Sequence, residues 1–189
     1  MNKVDPVTYL TLDDLAAVPA DKLPMMVISD NLQGLFGLLI KLVTKSFYSH
    51  FMWLHKPGMM ATQAWWFHEA PVTSFKRNSL KVFWCPTWTT DQRATLIQVI
   101  NKCLGQSWWD TRYDVLGVIG QFLGLDWLQS DKYQYCSEHI CKLALVDPDA
   151  LEWLKTCRPT PEEVNSWLKV QKNADGSDRY PVYCRVVPG

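Results

Sequence analysis

The segment YSHFMWL, residues 48–54, constrains the fold more than any other part of the chain. It is rich in aromatic residues and carries apolar side chains at both odd and even positions. A strand that is apolar on both faces belongs inside a sheet that is covered on both sides. Because 48% of the 189 residues are hydrophobic, the chain can build one substantial core around such a sheet.

Other segments predict further strands and several helices. Pro57-Gly58 is a turn signal that ends the first aromatic strand, and Pro181 places the last strand at a sheet edge because proline cannot donate to a ladder. We expect strands at 25–29, 48–54, 61–70, 80–86 and 180–187, and helices at 12–18, 32–44, 90–104, 113–125, from 136 to before 147, and from 161. The expected fold is α+β, a single domain over residues 1–189 with a central antiparallel sheet and packed helices.

Charge and cysteine usage exclude several function classes. The 19 basic and 19 acidic residues balance, so no basic stripe predicts a nucleic-acid partner. The longest apolar segment, Leu32 to Val43, is too short to span a bilayer, and the first residues lack the pattern of a signal peptide. The six cysteines are spaced irregularly and therefore do not predict a disulfide scaffold. We expect a cytoplasmic or otherwise unsecreted protein with no transmembrane segment.

Cofactor motifs are missing from the sequence. It contains no P-loop and no G-x-G-x-x-G, and Cys136, His139 and Cys141 lack the paired spacing of a structural zinc site. We therefore expect no cofactor and no metal.

Cys136, in YQYCSEHICKLALV, stands where a helix is predicted to begin. The unpaired amides and the positive dipole end at a helix N-terminus lower the pKa of a thiol and can hold an oxyanion. The alternative is that Cys136 fills the core, since cysteine is among the most buried residue types.

A cysteine nucleophile needs a base, and that base needs an orienting group. His50 interrupts an apolar strand and is the preferred base, whereas His55 lies beside the Pro-Gly turn and is expected to be solvated. On the returning strand, His68 and Glu69 are adjacent, so only one of them shares a face with His50. An even loop length selects Glu69 and an odd one selects His68, and the sequence leaves both open.

Three segments in order resemble a known family. YSHFMWL, then WWFHEA, then YCSEHICKLAL are similar to the circularly permuted branch of the NlpC-type papain-like superfamily, which includes YiiX-like and YebB-like proteins and, distantly, lecithin:retinol acyltransferase-like enzymes. The resemblance covers about residues 23–146 and leaves a C-terminal extension, 149–189. CSEHI departs from the family's CSEL, and Ser29-Asp30 stands where the family usually has Gly-Asp.

The resemblance implies a papain-like fold with its nucleophile at a helix N-terminus. Cys136 would be the nucleophile, His50 the general base and Glu69 the third residue, with His68 as the alternative. The backbone N–H of Cys136, together with Tyr113 or Tyr133, would hold the oxyanion. We expect a thiol peptidase or amidase that forms an acyl-enzyme on a peptide, such as one from a cell wall, or on a lipid acyl substrate. An acyltransferase or thioesterase on the same site and a non-catalytic binding protein are the alternatives.

Overall fold

The described part of the chain is organised around one antiparallel sheet. The structure is a computed structural model that describes residues 8–30, 47–48, 50–63, 66–107, 109–111, 136–157 and 159–188. The strands are β1 (Met25–Ser29), β2 (His50–Lys56), β3 (Met59–Gln63), β4 (Phe67–Pro71), β5 (Leu80–Phe83) and β6 (Val182–Val186). Their order across the sheet is β4-β3-β2-β1-β5-β6, and every neighbouring pair is antiparallel. The expected α+β class with a central antiparallel sheet is confirmed.

The single strand predicted over 61–70 is wrong. The Pro57-Gly58 turn, with Gly58 at φ +72°, reverses the chain so tightly that β3 begins at Met59 and pairs with β2. The chain then reverses again between Gln63 and Phe67, and β4 pairs back onto β3. The apolar run is therefore a hairpin, because its two halves satisfy each other's backbone groups.

The described helices are α1 (Leu12–Ala16), α2 (Thr90–Leu104), α3 (Pro148–Leu154) and α4 (Pro161–Val170), with 3₁₀ helices at Ala20–Lys22, Val72–Phe75 and Cys136–Leu145. Thr89 and Thr160 cap α2 and α4 through reciprocal capping boxes, as the sequence predicts. The helices predicted at 32–44 and 113–125 lie outside the described residues. No helix in the described ranges is long and apolar enough to cross a membrane.

Both faces of the sheet are covered by apolar side chains. One face, which we call the Trp53 face, carries Met26, Ile28, Phe51, Trp53, Ala61 and Phe83, and packs against buried residues of α2, α4 and the Cys136–Leu145 helix. The opposite face, the Met52 face, carries Met25, Val27, Met52, Leu54, Met60 and Val82, and packs against Leu15 of α1 and Val18. The first six residues of β2 are buried, which confirms the expectation drawn from residues 48–54.

The segment after Asp149 completes the sheet at the end opposite β4. Strand β6 pairs with β5 at the edge of the strand order, where Pro181 predicted it. Asp147, the N-cap of α3, accepts hydrogen bonds from Arg179 at 3.1 Å and from the Tyr180 hydroxyl. These hydrogen bonds to a buried carboxylate hold Arg179 and Tyr180, which precede β6, against the start of α3.

Lys81 is a buried cation on β5. It lies opposite Ile28 in the β1–β5 register, so its side chain is on the Trp53 face, where its Nζ donates to Asn165 Oδ1 at 2.8 Å. The Nζ also lies 4.6 Å from the centre of the Phe83 ring. Burial lowers the pKa of Lys81 to about 7.

We predict that Lys81→Met gains stability relative to the wild type as the pH falls from 10 to about 7. An unfolded lysine keeps its ordinary pKa of 10.5, so over this range the unfolded chain holds a proton that the folded chain has released. Urea unfolding at each pH measures the difference, and loss of the Asn165 hydrogen bond contributes a part that does not vary with pH. Lys102→Met, at an exposed position, is the control and should show no such trend. An equal difference at both ends of the range would contradict the prediction.

Candidate active site

His50 is the first residue of β2 and is buried, with 8% of its surface exposed. Its Nε2 lies 2.6 Å from the hydroxyl oxygen of Thr62, which is also buried. Burial and, to a smaller extent, the nearby His68 together lower the pKa of His50 to about 4. At neutral pH His50 is therefore an uncharged imidazole that can accept a proton.

The strand register decides which neighbour shares a face with His50. Thr62 lies opposite Met52 and also opposite His68, so these side chains and that of His50 are all on the Met52 face. His68 is thus the member of the His68-Glu69 pair on the base's side of the sheet. Its Nδ1 is 3.0 Å from the carbonyl oxygen of Trp66, and it acts on His50 through charge.

Glu69 faces the other way. It lies opposite Ala61 on the Trp53 face, where its Oε1 accepts a hydrogen bond from Lys56 at 2.8 Å and lies 2.9 Å from His55 Nε2. The Lys56 hydrogen bond is the main cause that lowers the pKa of Glu69. The carboxylate predicted to orient His50 is instead the partner of Lys56 and His55. His55 is 2% exposed, so the expectation that it is solvated is wrong, because β2 continues through it to Lys56.

Cys136 opens the 3₁₀ helix Cys136–Leu145, as predicted for the nucleophile, but its side chain lies outside the described residues. The helix packs on the Trp53 face, where Ile140 and Leu143 join the core and Trp53 Nε1 donates to the carbonyl of His139 at 3.1 Å. His50 is therefore on the face of the sheet opposite to this helix.

His139 is held at both ring nitrogens. Its Nδ1 lies 2.6 Å from Lys142 Nζ, and its Nε2 lies 2.9 Å from Gln63 Oε1. An ammonium group has only donors, so Nδ1 accepts from Lys142 and Nε2–H donates to Gln63. The Gln63 amide then donates to the carbonyl of Thr111 at 2.6 Å, and the His139 ring stacks on Phe67 at 4.0 Å. This chain of hydrogen bonds gives His139 a structural role. Because both ring nitrogens are engaged in it, neither is available to activate a thiol.

The first turn of the Cys136–Leu145 helix and His50 lie at the same end of the sheet. His50 begins β2, Gln63 ends the antiparallel neighbour β3, and the His139–Gln63 hydrogen bond anchors the helix there. The two therefore lie at the same end of the sheet but on opposite faces.

Sequence reasoning missed Thr62, Gln63 and Lys142. The signal was present in MMATQ, where Thr62 and Gln63 are the polar residues of an otherwise apolar strand. Buried polar side chains almost always have hydrogen-bond partners, so this pair points to polar groups on neighbouring elements. Lys142 gives no such signal, because a lysine in a helix is usually solvated.

The other candidates contribute little to a site in the described residues. Tyr113 and Tyr133 lie outside them. Burial raises the pKa of Cys85 and Cys157, and that of Cys184 to about 12, so these thiols stay protonated at neutral pH. The described ranges contain no group of three or more His, Cys, Asp or Glu side chains that could hold a metal ion.

Comparison with known proteins adds no assignment: no family model matches the chain, and no curated protein matches it.

We predict that His50 stays neutral down to about pH 4 in the folded protein. NMR titration of the four histidine rings, assigned with His50→Gln, measures this directly. Because the ordinary pKa is 6.5, the unfolded chain binds a proton between pH 6.5 and 4 that the folded chain does not, so stability falls as the pH falls through this window. His68→Gln removes the neighbouring charge and should raise the pKa of His50. A pKa above 6 for His50 in the wild type would contradict the prediction.

Proposed function

We propose that the protein is a cysteine-dependent hydrolase of amide or ester bonds, with Cys136 as nucleophile and His50 as general base. The observation that carries the proposal is the buried, uncharged imidazole of His50, held by Thr62 at the end of the sheet where the Cys136–Leu145 helix begins. A neutral imidazole fixed through one nitrogen has the other available for proton transfer. The resemblance of YSHFMWL and YCSEHICKLAL to the permuted NlpC-type family supports the same two roles.

Cys136, His50 and water supply every group that the proposed hydrolysis requires. His50 accepts the thiol proton of Cys136, and the thiolate attacks the carbonyl carbon. Collapse of the tetrahedral intermediate expels the amine or alcohol, which takes the proton from His50 and leaves a thioester on Cys136. His50 then removes a proton from water, the hydroxide attacks the thioester, and the carboxylic acid and the thiol are released.

The position of Cys136 at a helix start favours the thiolate. The first amides of the helix lack intrahelical partners and are positively polarised, so they stabilise a negative sulfur and the oxyanion that follows. A thiolate beside His50 would in turn raise the low pKa of that imidazole, because an opposite charge favours the protonated form.

We predict that Cys136 is alkylated by iodoacetamide much faster than Cys141 at pH 6, by about tenfold or more. Cys141 is exposed on the same helix and is therefore an internal reference. Rates measured from pH 5 to 9 and located by peptide mass spectrometry give the pH profile of each thiol. His50→Ala should remove the advantage of Cys136, whereas His68→Gln should preserve it. A Cys136 that reacts no faster than Cys141 in the folded wild type would contradict the proposal.

We also predict that Thr62, and not Glu69, positions His50. Thr62→Val keeps the shape of the side chain but removes the hydroxyl that holds Nε2, and should slow Cys136 alkylation at pH 6 about tenfold, the worth of one hydrogen bond. Thr62→Ser keeps the hydroxyl and should stay within about threefold of the wild type. Glu69→Gln should leave the rate unchanged, because its partners are Lys56 and His55. The reverse pattern would restore Glu69 as the third residue.

A second candidate function is that of a binding protein without catalysis. It is favoured by the strand alternation, which puts His50 on the Met52 face while the helix packs on the Trp53 face. The alkylation experiment separates the two functions, since an unactivated Cys136 in a folded protein favours binding.

A further inference from the structure

Strand β4 is the edge of the sheet, and its outward hydrogen-bonding groups can be identified. Phe67 N–H donates to the carbonyl of Thr111 at 3.3 Å, and Thr111 is not part of β3. Phe67 therefore points its main-chain groups away from the sheet. Outward and inward groups alternate along an antiparallel edge, so Glu69 and Pro71 also point outward. Pro71 fits this assignment, because its missing N–H would face away from the ladder.

Of the outward-facing residues of β4, Glu69 has an N–H that Thr111 does not already use, which Pro71 lacks and Phe67 has committed. It is exposed, and in the described part of the chain no main-chain group outside β3 is hydrogen-bonded to it. The Phe67–Thr111 hydrogen bond shows that the outward main-chain groups of this edge can accept a main-chain partner two residues before Glu69.

A cavity of about 460 Å³ lies beside Glu69. Trp66, His68 and Glu69 line it on the strand side, and Asn101, Leu104 and Gly105 line it near the end of α2. The Trp66 side chain is 43% exposed and offers an aromatic wall. The volume is large enough for one or two side chains of a ligand.

The lining of the cavity contains an ion pair. Lys56 Nζ and Glu69 Oε1 are 2.8 Å apart, so the cation and the anion that line the cavity satisfy each other. Asn101 and Gln106 add neutral amides. Lys56 and Glu69 therefore offer no unpaired charge to a ligand, whereas the amides favour main-chain amides and uncharged side chains.

We propose that the outer edge of β4 binds a neutral, extended peptide segment, one residue of which pairs its N–H and C=O with those of Glu69. The side chain of that residue lies on the Trp53 face and enters the cavity near the end of α2. That this peptide is the substrate rests on the proposed function, whereas its binding to the edge requires no turnover.

Binding is tested with Cys136→Ala, so that no cleavage can occur, by calorimetry with the peptide acetyl-Ser-Ala-Val-Ala-Ser-amide. We expect saturable binding at about millimolar concentration, since few main-chain bonds are made. Two isomers serve as matched probes, one N-methylated on valine and the other on both alanines. Alternate residues of a paired strand face the sheet, so one isomer should lose affinity about tenfold and the other should stay within about threefold.

Two protein variants provide the reciprocal control. Glu69→Pro removes the outward N–H without breaking the β3 ladder, and should weaken binding about tenfold. Glu69→Ala keeps the N–H and also loses the carboxylate, so the weakening of binding by Glu69→Pro relative to Glu69→Ala measures the N–H bond alone. Circular dichroism checks that both are folded; if Glu69→Pro is not, the N-methylated pair decides alone.

Equal affinity of the two isomers, or no binding of the parent peptide, would overturn the inference. The experiments can contradict the catalytic proposal and the edge site independently of each other. If the isomers differ as expected but Cys136 shows no activated thiol, the edge site stands and the hydrolase does not. If Cys136 is activated and both isomers are cleaved at equal rates by the wild type, the hydrolase stands and the edge site does not.

Discussion

The burial of strand β2 on both faces is the constraint on which the rest of the structure depends. Its side chains alternate between two separate apolar clusters, so a slip of one residue would exchange every member of one cluster for the other. Register is therefore fixed on both sides at once. The neighbouring strands β1 and β3 inherit it through their ladders, and so do the polar residues at the ends of these strands.

The same alternation decides on which face of the sheet each polar side chain lies. His50, Thr62 and His68 lie on the Met52 face, whereas Glu69 lies on the Trp53 face with His55. Burying the imidazole of His50 costs free energy, and its lowered pKa reflects that burial. The cost grows if its hydroxyl partner is lost, because a buried polar group is then left without a hydrogen bond. That cost is the physical reason to look for function at this end of the sheet.

A second buried polar chain holds the helix that begins at Cys136. Lys142, His139 and Gln63 link to the carbonyl of Thr111, and Thr111 in turn accepts from Phe67 on the edge strand. Burial lowers the pKa of both Lys142 and His139. Because these hydrogen bonds are buried and continuous, the network fixes the helix at His139, the end of β3 and the start of β4 relative to one another. The same hydrogen-bond network thus holds both the helix that begins at Cys136 and the edge strand β4.

The sequence alone determined what depends on local pattern: the α+β class, the apolar strand at 25–29, a strand within the predicted range 80–86, the capping boxes of Thr89 and Thr160, the edge position implied by Pro181 and the helix start at Cys136. It could not determine what depends on pairing. The division of residues 61–70 into two strands, the burial of His55 and the partner of Glu69 all follow from ladders between distant residues. Side-chain parity across a hairpin depends on where the chain turns, and only the assembled sheet decides that.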